Sequence, residues 1–245
     1  MNCKAAGTLP LMHSGSSADA VAYHGCLAVG WERRYQKSSF RSRETLLSRC
    51  LEGCHLRGTL WLDAGCGTGT LSRWLAARGC RVLGVDAASE MVTTAALFAH
   101  STGFSEHVRF ARINTIAQLP APDKSVDGIL CSSVLEYVPD PTACLTEFAR
   151  VLKPGGRLLV SVPNRNSIVR RFQVTCHRLA DFLRRDWLDF LDYSRQEFSA
   201  SEFEALLART GFALNRLLPF GSPLPDLAQR SCIWGPLLMF VAKKL

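Results

Sequence analysis

Two kinds of apolar spacing alternate from residue 59 onward. The runs Thr59–Asp63, Arg81–Val85, His107–Ile113, Val126–Cys131 and Arg157–Val162 are short, apolar and bounded by turn residues, and predict buried strands. Gly69–Arg78, Ala88–Ala99 and Pro141–Leu152 carry the helical spacing. Pro141 suits a first turn, and Lys153-Pro154-Gly155-Gly156 stops the last of these helices. Strands alternating with helices predict an α/β fold whose parallel sheet is covered on both faces.

Both flanks break this rhythm. Residues 1–20 are polar, small and aperiodic and predict a loose tail, leaving 21–245 as one domain. Ala22–Cys54 reads as two helices, a short one carrying Trp31 and Tyr35 and a longer one near Phe40–Leu51. Residues 164–193, rich in arginine and aromatics, predict a helical cap inserted after the fifth strand, with Ile168, Phe172, Leu179, Phe182 and Leu183 on one face. Ser199–Thr210 then predicts a helix closed by Gly211, and Phe212–Leu218 with Ile233–Lys243 a terminal hairpin around the Gly221–Pro225 loop.

The strongest local signal is Leu62-Asp63-Ala64-Gly65-Cys66-Gly67-Thr68-Gly69, where a strand runs into a glycine turn that opens a helix. Glycine lets the backbone approach a ligand without a Cβ in the way, and a helix start offers unpaired N–H groups to an anion. The spacing is not that of a dinucleotide site, since Thr70 stands where the third glycine belongs, and no Gly-Lys-Ser/Thr follows as a P-loop requires. Asp63 beside the loop would repel a pyrophosphate and suits a ligand bearing an ammonium or sulfonium. Asp86 ends the next strand, where two carboxylate oxygens can accept both hydroxyls of a ribose. Met91, one turn further, can cover an adenine face or pack in the core.

These residues resemble the class I S-adenosylmethionine (SAM)-dependent methyltransferases, particularly the ubiquinone and menaquinone branch. The likeness runs through Leu62–Gly69, Val85-Asp86 with Met91, Leu119-Pro120 with Asp123–Asp127, Ser133–Pro141 and Arg150–Gly156, and resumes at Phe198–Phe203 and Thr210–Phe212. It implies a Rossmann-like, seven-stranded, mostly parallel sheet with helices on both faces. It also implies SAM, leaving as S-adenosylhomocysteine, at Asp63, Ala64, Gly65, Gly67, Gly69, Asp86, Ala87 and Met91, and at Asn114, Thr115, Ile116, Cys131 and Ser132, with Trp31 and Tyr35 closing the cleft. Three departures stand out. Thr115 replaces an aspartate expected near the adenine amine, Tyr137 sits where relatives often have histidine, and Cys131-Ser132 ends the fourth strand.

SAM brings its own activation, so the protein must align a nucleophile and exclude water. His24, Tyr137 and His177 are the candidates for proton handling, each with an ordinary surface or core role as the alternative. A net charge of +8 suits an anionic acceptor or surface, and equally mere solubility. The Arg-rich insertion reads as a substrate lid, a membrane-surface contact or a solvated cap. The expected acceptor is a small or lipid-like molecule, methylated at oxygen rather than nitrogen. The alternatives are RNA or protein methylation and a catalytically idle SAM-fold binder. No nucleic-acid module, secretory signal or membrane span is read from the chain. Ten scattered cysteines without a C-x-x-C pair predict free thiols, a cytoplasmic setting and no metal site, with Cys50, Cys54 and His55 read as helix-face residues.

Overall fold

The computed structural model describes residues 16–35, 38–182, 189–221 and 231–245. Its strands are β1 (Leu60–Ala64), β2 (Arg81–Asp86), β3 (Val108–Arg112), β4 (Val126–Ser132), β5 (Leu152–Pro163), β6 (Phe212–Phe220) and β7 (Leu237–Lys244). They form one seven-stranded sheet in the order β3-β2-β1-β4-β5-β7-β6. β7 alone runs antiparallel to its neighbours β5 and β6. The helices are α1 (Ser17–Tyr35), α2 (Ser38–Cys50), α3 (Thr70–Ala76), α4 (Ser89–Ser101), α5 (Pro141–Val151), α6 (Ile168–Phe182) and α7 (Ala200–Arg209).

The strand period of two sorts the core into two layers. Leu62, Ile129, Leu158 and Phe240 pack on one face with Phe148 and Phe203. Their chain neighbours Trp61, Leu130, Leu159 and Val241 pack on the other with Leu71 and Leu75. Burying each such side chain contributes about 1.5–3 kcal/mol. The sheet order reverses between β1 and β4, so the crevice beyond their carboxyl ends is the natural ligand position.

Several expected boundaries shift for local reasons. Helix α1 starts at Ser17, inside the stretch expected to be a tail. Ser16 and Asp19 cap it reciprocally, each side chain accepting the other's backbone N–H. The last strand begins at Leu237 rather than Ile233, because Ser231–Trp234 turns back on itself and Trp234 N–H donates to Ser231 O. The inserted segment holds α6 and a short 3₁₀ turn at Asp189–Asp192. Arg184, Arg185 and Trp187 lie outside the described residues, as do most of the expected tail and of the loop after Gly221. Cys50 is buried at the end of α2, and Cys54 follows in the loop to β1. Among the described residues, no helix is long and apolar enough to cross a membrane.

Candidate active site

The glycine loop is shaped by backbone bonds to β2. Gly65 and Cys66 N–H groups donate to Val85 O at 2.8 and 3.0 Å. Gly67 N–H donates to Asp86 Oδ2 at 2.9 Å, and Ala88 N–H to Asp86 Oδ1 at 2.9 Å. Burial pushes the Asp86 carboxyl up, against these N–H bonds. Each oxygen keeps acceptor capacity for a further donor. Gly65 and Gly67 both have positive φ, 76° and 53°, but their surroundings differ. A Cβ at Gly65 would lie 2.3 Å from Val134 Cγ2, whereas one at Gly67 would meet Trp31 Nε1 at 3.5 Å and Met91 Sδ at 4.0 Å, filling the gap between loop and helix.

Asp63 lies under the loop and is 2% exposed. Ser72 Oγ, on α3, donates to its Oδ2 at 2.6 Å. Burial pushes the Asp63 carboxyl up to about 7, only partly offset by Ser72. It therefore supports the loop from below and does not face open solvent.

Helix α1 lies over this end of the sheet, fixed by Glu32 in a role that no local spacing signals. Glu32 Oε1 accepts from Thr68 Oγ1 at 2.9 Å, Thr70 Oγ1 at 2.7 Å and Arg73 Nη2 at 2.8 Å. Burial pushes the Glu32 carboxyl up, but Arg73 and the two hydroxyls outweigh it and hold it below the usual range. The same helix carries Trp31 to Gly67 and His24 to the far side. The His24 ring meets Trp31 edge-on at 5.7 Å and Tyr137 at 4.9 Å, and Tyr23 stacks on Tyr193 at 4.5 Å. An aromatic row thus joins the glycine loop, the β4 exit and the inserted segment.

At the β4 exit the backbone turns through Ser133, whose φ of 58° is left-handed. Such a residue costs about 1–3 kcal/mol and persists where its surroundings hold it. Here Ser161 Oγ accepts the Ser133 N–H at 2.9 Å. Arg43, on α2, donates to Ser132 Oγ at 3.4 Å and Ser133 Oγ at 3.3 Å. Nothing in its local spacing singled Arg43 out, because it reaches the site across 89 residues of chain. Glu136, buried, and Tyr137, half-buried, follow, and the Tyr137 hydroxyl acts on the Glu136 carboxylate. Burial, then the Glu136 charge, pushes the Tyr137 phenol far above its ordinary value.

The expected site residues separate into three groups. Ala64, Gly65, Gly67, Gly69, Asp86, Ala87, Met91, Trp31 and Ser132 lie along the β1, β2 and β4 ends, with Asp63 beneath, and His24 and Tyr137 meet beside them. Asn114 and Thr115 lie exposed after β3, the Thr115 hydroxyl accepting Ala117 N–H at 3.1 Å, while Ile116 is buried. The third group lies elsewhere. Cys131 is fully buried in the core between strand and α5, because its position on β4 points away from the crevice. His177 bonds Asp192 at 2.7 Å, tying α6 to the 3₁₀ turn. Arg170, within the Arg-rich insertion, is 3% exposed and pairs with Glu197 at 2.7 Å, whereas Phe172 is 65% exposed. The Tyr35 side chain lies outside the described residues.

A methyltransferase domain family matches residues 62–160. The chain is 35% identical over 166 residues to a ubiquinone biosynthesis O-methyltransferase of Xylella fastidiosa, covering 61% of this chain and 66% of that one. It is 43% identical over 112 residues to the enzyme of that name from Idiomarina loihiensis, covering 45% of each. The chain thus spans from under half to just under two thirds of these curated relatives. Magnesium protoporphyrin IX methyltransferase from Synechocystis, solved with bound S-adenosylhomocysteine, shares the fold at TM-score 0.69 and 19% identity, over 94% of this chain and all of that one. The [4+2]-cyclase SpnF shares it equally, at TM-score 0.67 and 17% identity over 94% of this chain and 97% of that one, so fold alone does not name a reaction. Residues 62–160, with the glycine loop and Asp86 in place, are a class I SAM-dependent methyltransferase domain, and the chain resembles the ubiquinone branch of that class.

Proposed function

We propose that this protein transfers a methyl group from SAM to a hydroxyl oxygen of a small, lipid-like acceptor. The observation that carries the reading is the meeting of His24 and Tyr137, 4.9 Å apart, beside a glycine loop and an Asp86 carboxylate that fit the cofactor. The gap that a Cβ at Gly67 would fill takes the nucleoside, Asp86 the ribose hydroxyls, and Met91 with Ile116 the adenine faces. Asn114, Thr115 and Ala87 border the adenine, Ser132 with Arg43 takes the methionine carboxylate, and Trp31 closes the cleft. Bound SAM supplies an activated methyl for in-line displacement. His24 accepts the acceptor's hydroxyl proton, while Tyr137, held by Glu136, orients the acceptor oxygen and keeps water out. Methylation at oxygen is the reaction named for the relatives, and a ubiquinone precursor is the acceptor class carried over from them.

The outer face of α6 supports a lipid-like acceptor. Ile168, Phe172 and Leu179 stand exposed in one stripe, with Ile233 and Trp234 beside its start and Arg171 and Arg178 also exposed. Apolar side chains beside arginines suit an anionic lipid surface from which such an acceptor is drawn. The free described cysteines suit a reducing, cytoplasmic setting.

The test is S-adenosylhomocysteine release with prenylated catechols, the same catechols without tails, and matched anilines. Turnover is expected with the prenylated catechol. His24→Gln should lower kcat about a hundredfold with SAM affinity kept, within the range for general-base loss. Equal turnover by His24→Gln removes the base, and turnover confined to anilines overturns the oxygen reading.

A further inference from the structure

We propose that Arg170 is a positioning residue for the acceptor side of the site, setting the loop that carries Tyr137 through a strap formed by residues 194–198. The inference rests on the methyl-transfer reading above. Arg170 is the buried exception among the insertion's described arginines, for Arg165, Arg171 and Arg178 are exposed. Burying a guanidinium is costly unless its donors are well matched. Here they grip both ends of one short segment: Nε donates to Glu197 Oε1 at 2.7 Å and Nη2 to Ser194 Oγ at 3.1 Å.

That segment in turn clamps the β4 exit. Arg195 N–H donates to Glu136 O at 2.8 Å. The Gln196 side-chain amide donates to Val138 O at 3.0 Å and to Pro139 O at 3.2 Å. Phe198 N–H donates to Pro163 O at 3.0 Å, and Phe198 O accepts Arg165 N–H at 3.1 Å, which seats the strap on the end of β5. The backbone of residues 136–139 is therefore held by the strap, and the strap by Arg170.

Charge links the same arginine to the side chains. Burial raises the Glu136 carboxyl, and Arg170 is the strongest influence lowering it, ahead of the Tyr137 hydroxyl and Arg43. Among the described residues, the charged and titratable groups acting on Glu136 include Arg170 from α6, Arg43 from α2, Glu197 from the strap, Cys131 from β4 and its neighbour Tyr137. Removing Arg170 leaves a buried carboxylate short of its main counter-charge and a strap without its grip. The disturbance then grows as pH rises and Glu136 ionises.

The test compares the unsubstituted chain with R170M, R170K and R170M/E136Q, checked for folding by circular dichroism. Three quantities are read: S-adenosylhomocysteine affinity by calorimetry, hydrogen exchange of residues 133–139, and acceptor kcat and KM from pH 6 to 9. In R170M, exchange of the loop should quicken and acceptor kcat/KM fall, each about tenfold, the loss expected of one charged hydrogen bond, while S-adenosylhomocysteine affinity stays within about twofold. Both defects should deepen with pH in R170M, ease in R170K and lose their pH trend in R170M/E136Q. Unchanged loop exchange in a folded R170M overturns the proposal, as does loss of S-adenosylhomocysteine affinity in step with activity or a pH trend that survives E136Q. If R170M does not fold, E197Q removes one grip with Arg170 in place, and unchanged exchange in residues 136–139 is then the overturning result. The exchange measurement needs no acceptor, so a wild-type protein that methylates no hydroxyl sinks the functional reading without touching this one.

Discussion

The two halves of the crevice are built by different means. On the β1–β2 side, glycines with positive φ and backbone N–H groups shape the site, and the residues involved lie within about thirty positions of one another. On the β4 side, side chains from α1, α2, α6 and the strap converge on one short loop, where Arg170 and Glu136 are buried charges. The first arrangement depends on local chain geometry and tolerates little change of residue. The second depends on contacts across the fold, so its residues are free to differ while the loop stays in place. A cofactor common to a whole class suits the first, and an acceptor particular to one enzyme suits the second.

The sharpest way to break this contrast is Gly67→Val. The substitution places a branched side chain between loop and Trp31, and we expect SAM affinity to fall more than about a hundredfold with the fold retained, at a strain cost of about 1–3 kcal/mol. Calorimetry with circular dichroism reads both; normal affinity in a folded variant would mean that the glycine loop does not shape the ligand space.

The next largest effect lies in stability against pH. Asp63 titrates near 7 in the folded protein, against an ordinary 3.8. Between those values the folded chain keeps a proton that the unfolded chain releases, so stability declines as pH rises from about 4 to 7, by up to about 4 kcal/mol. Asp63→Asn should flatten that decline in denaturant titrations. A slope unchanged by the substitution would show that Asp63 is ionised throughout.

Asp86→Ala sharpens the contrast from the other side. Loss of hydrogen bonds from the ribose to a charged acceptor should weaken SAM by about 1.5–3 kcal/mol, with acceptor KM little changed. Wild-type affinity would remove Asp86 from the ribose. The smallest effect is expected of Tyr23→Ala, which removes a stacked pair worth about 0.5–1.5 kcal/mol between α1 and the insertion. It should raise acceptor KM a fewfold and leave SAM affinity alone; the opposite pattern would place α1 wholly on the cofactor side.

The same division explains what the sequence could show. The sheet, its order of helices and strands, and the Asp63–Asp86 half-site follow from hydrophobic period and glycine spacing, which are local signals. The roles of Arg43, Glu32 and Ser72 carry no local signal because each acts by reaching another element: Arg43 to β4, Glu32 to α3, and Ser72 back under the loop to β1. Composition does not distinguish the arginines of the insertion, although burial separates Arg170 from Arg171 one position later, and helix rotation alone decides which faces inward. A strand-end position points Cys131 to the crevice, but the two-residue period of β4 turns its side chain into the core.

Asp86 has a further consequence for the thermodynamics of binding. Its two oxygens hold Gly67 and Ala88 N–H groups, so bonds within the protein itself fix the curvature of the loop. The conformational entropy of ordering that turn belongs to folding, not to association. Cofactor binding should therefore show a small heat-capacity change from this loop, and its exchange with solvent be governed by the movement of α1 above it rather than by reshaping of the turn beneath.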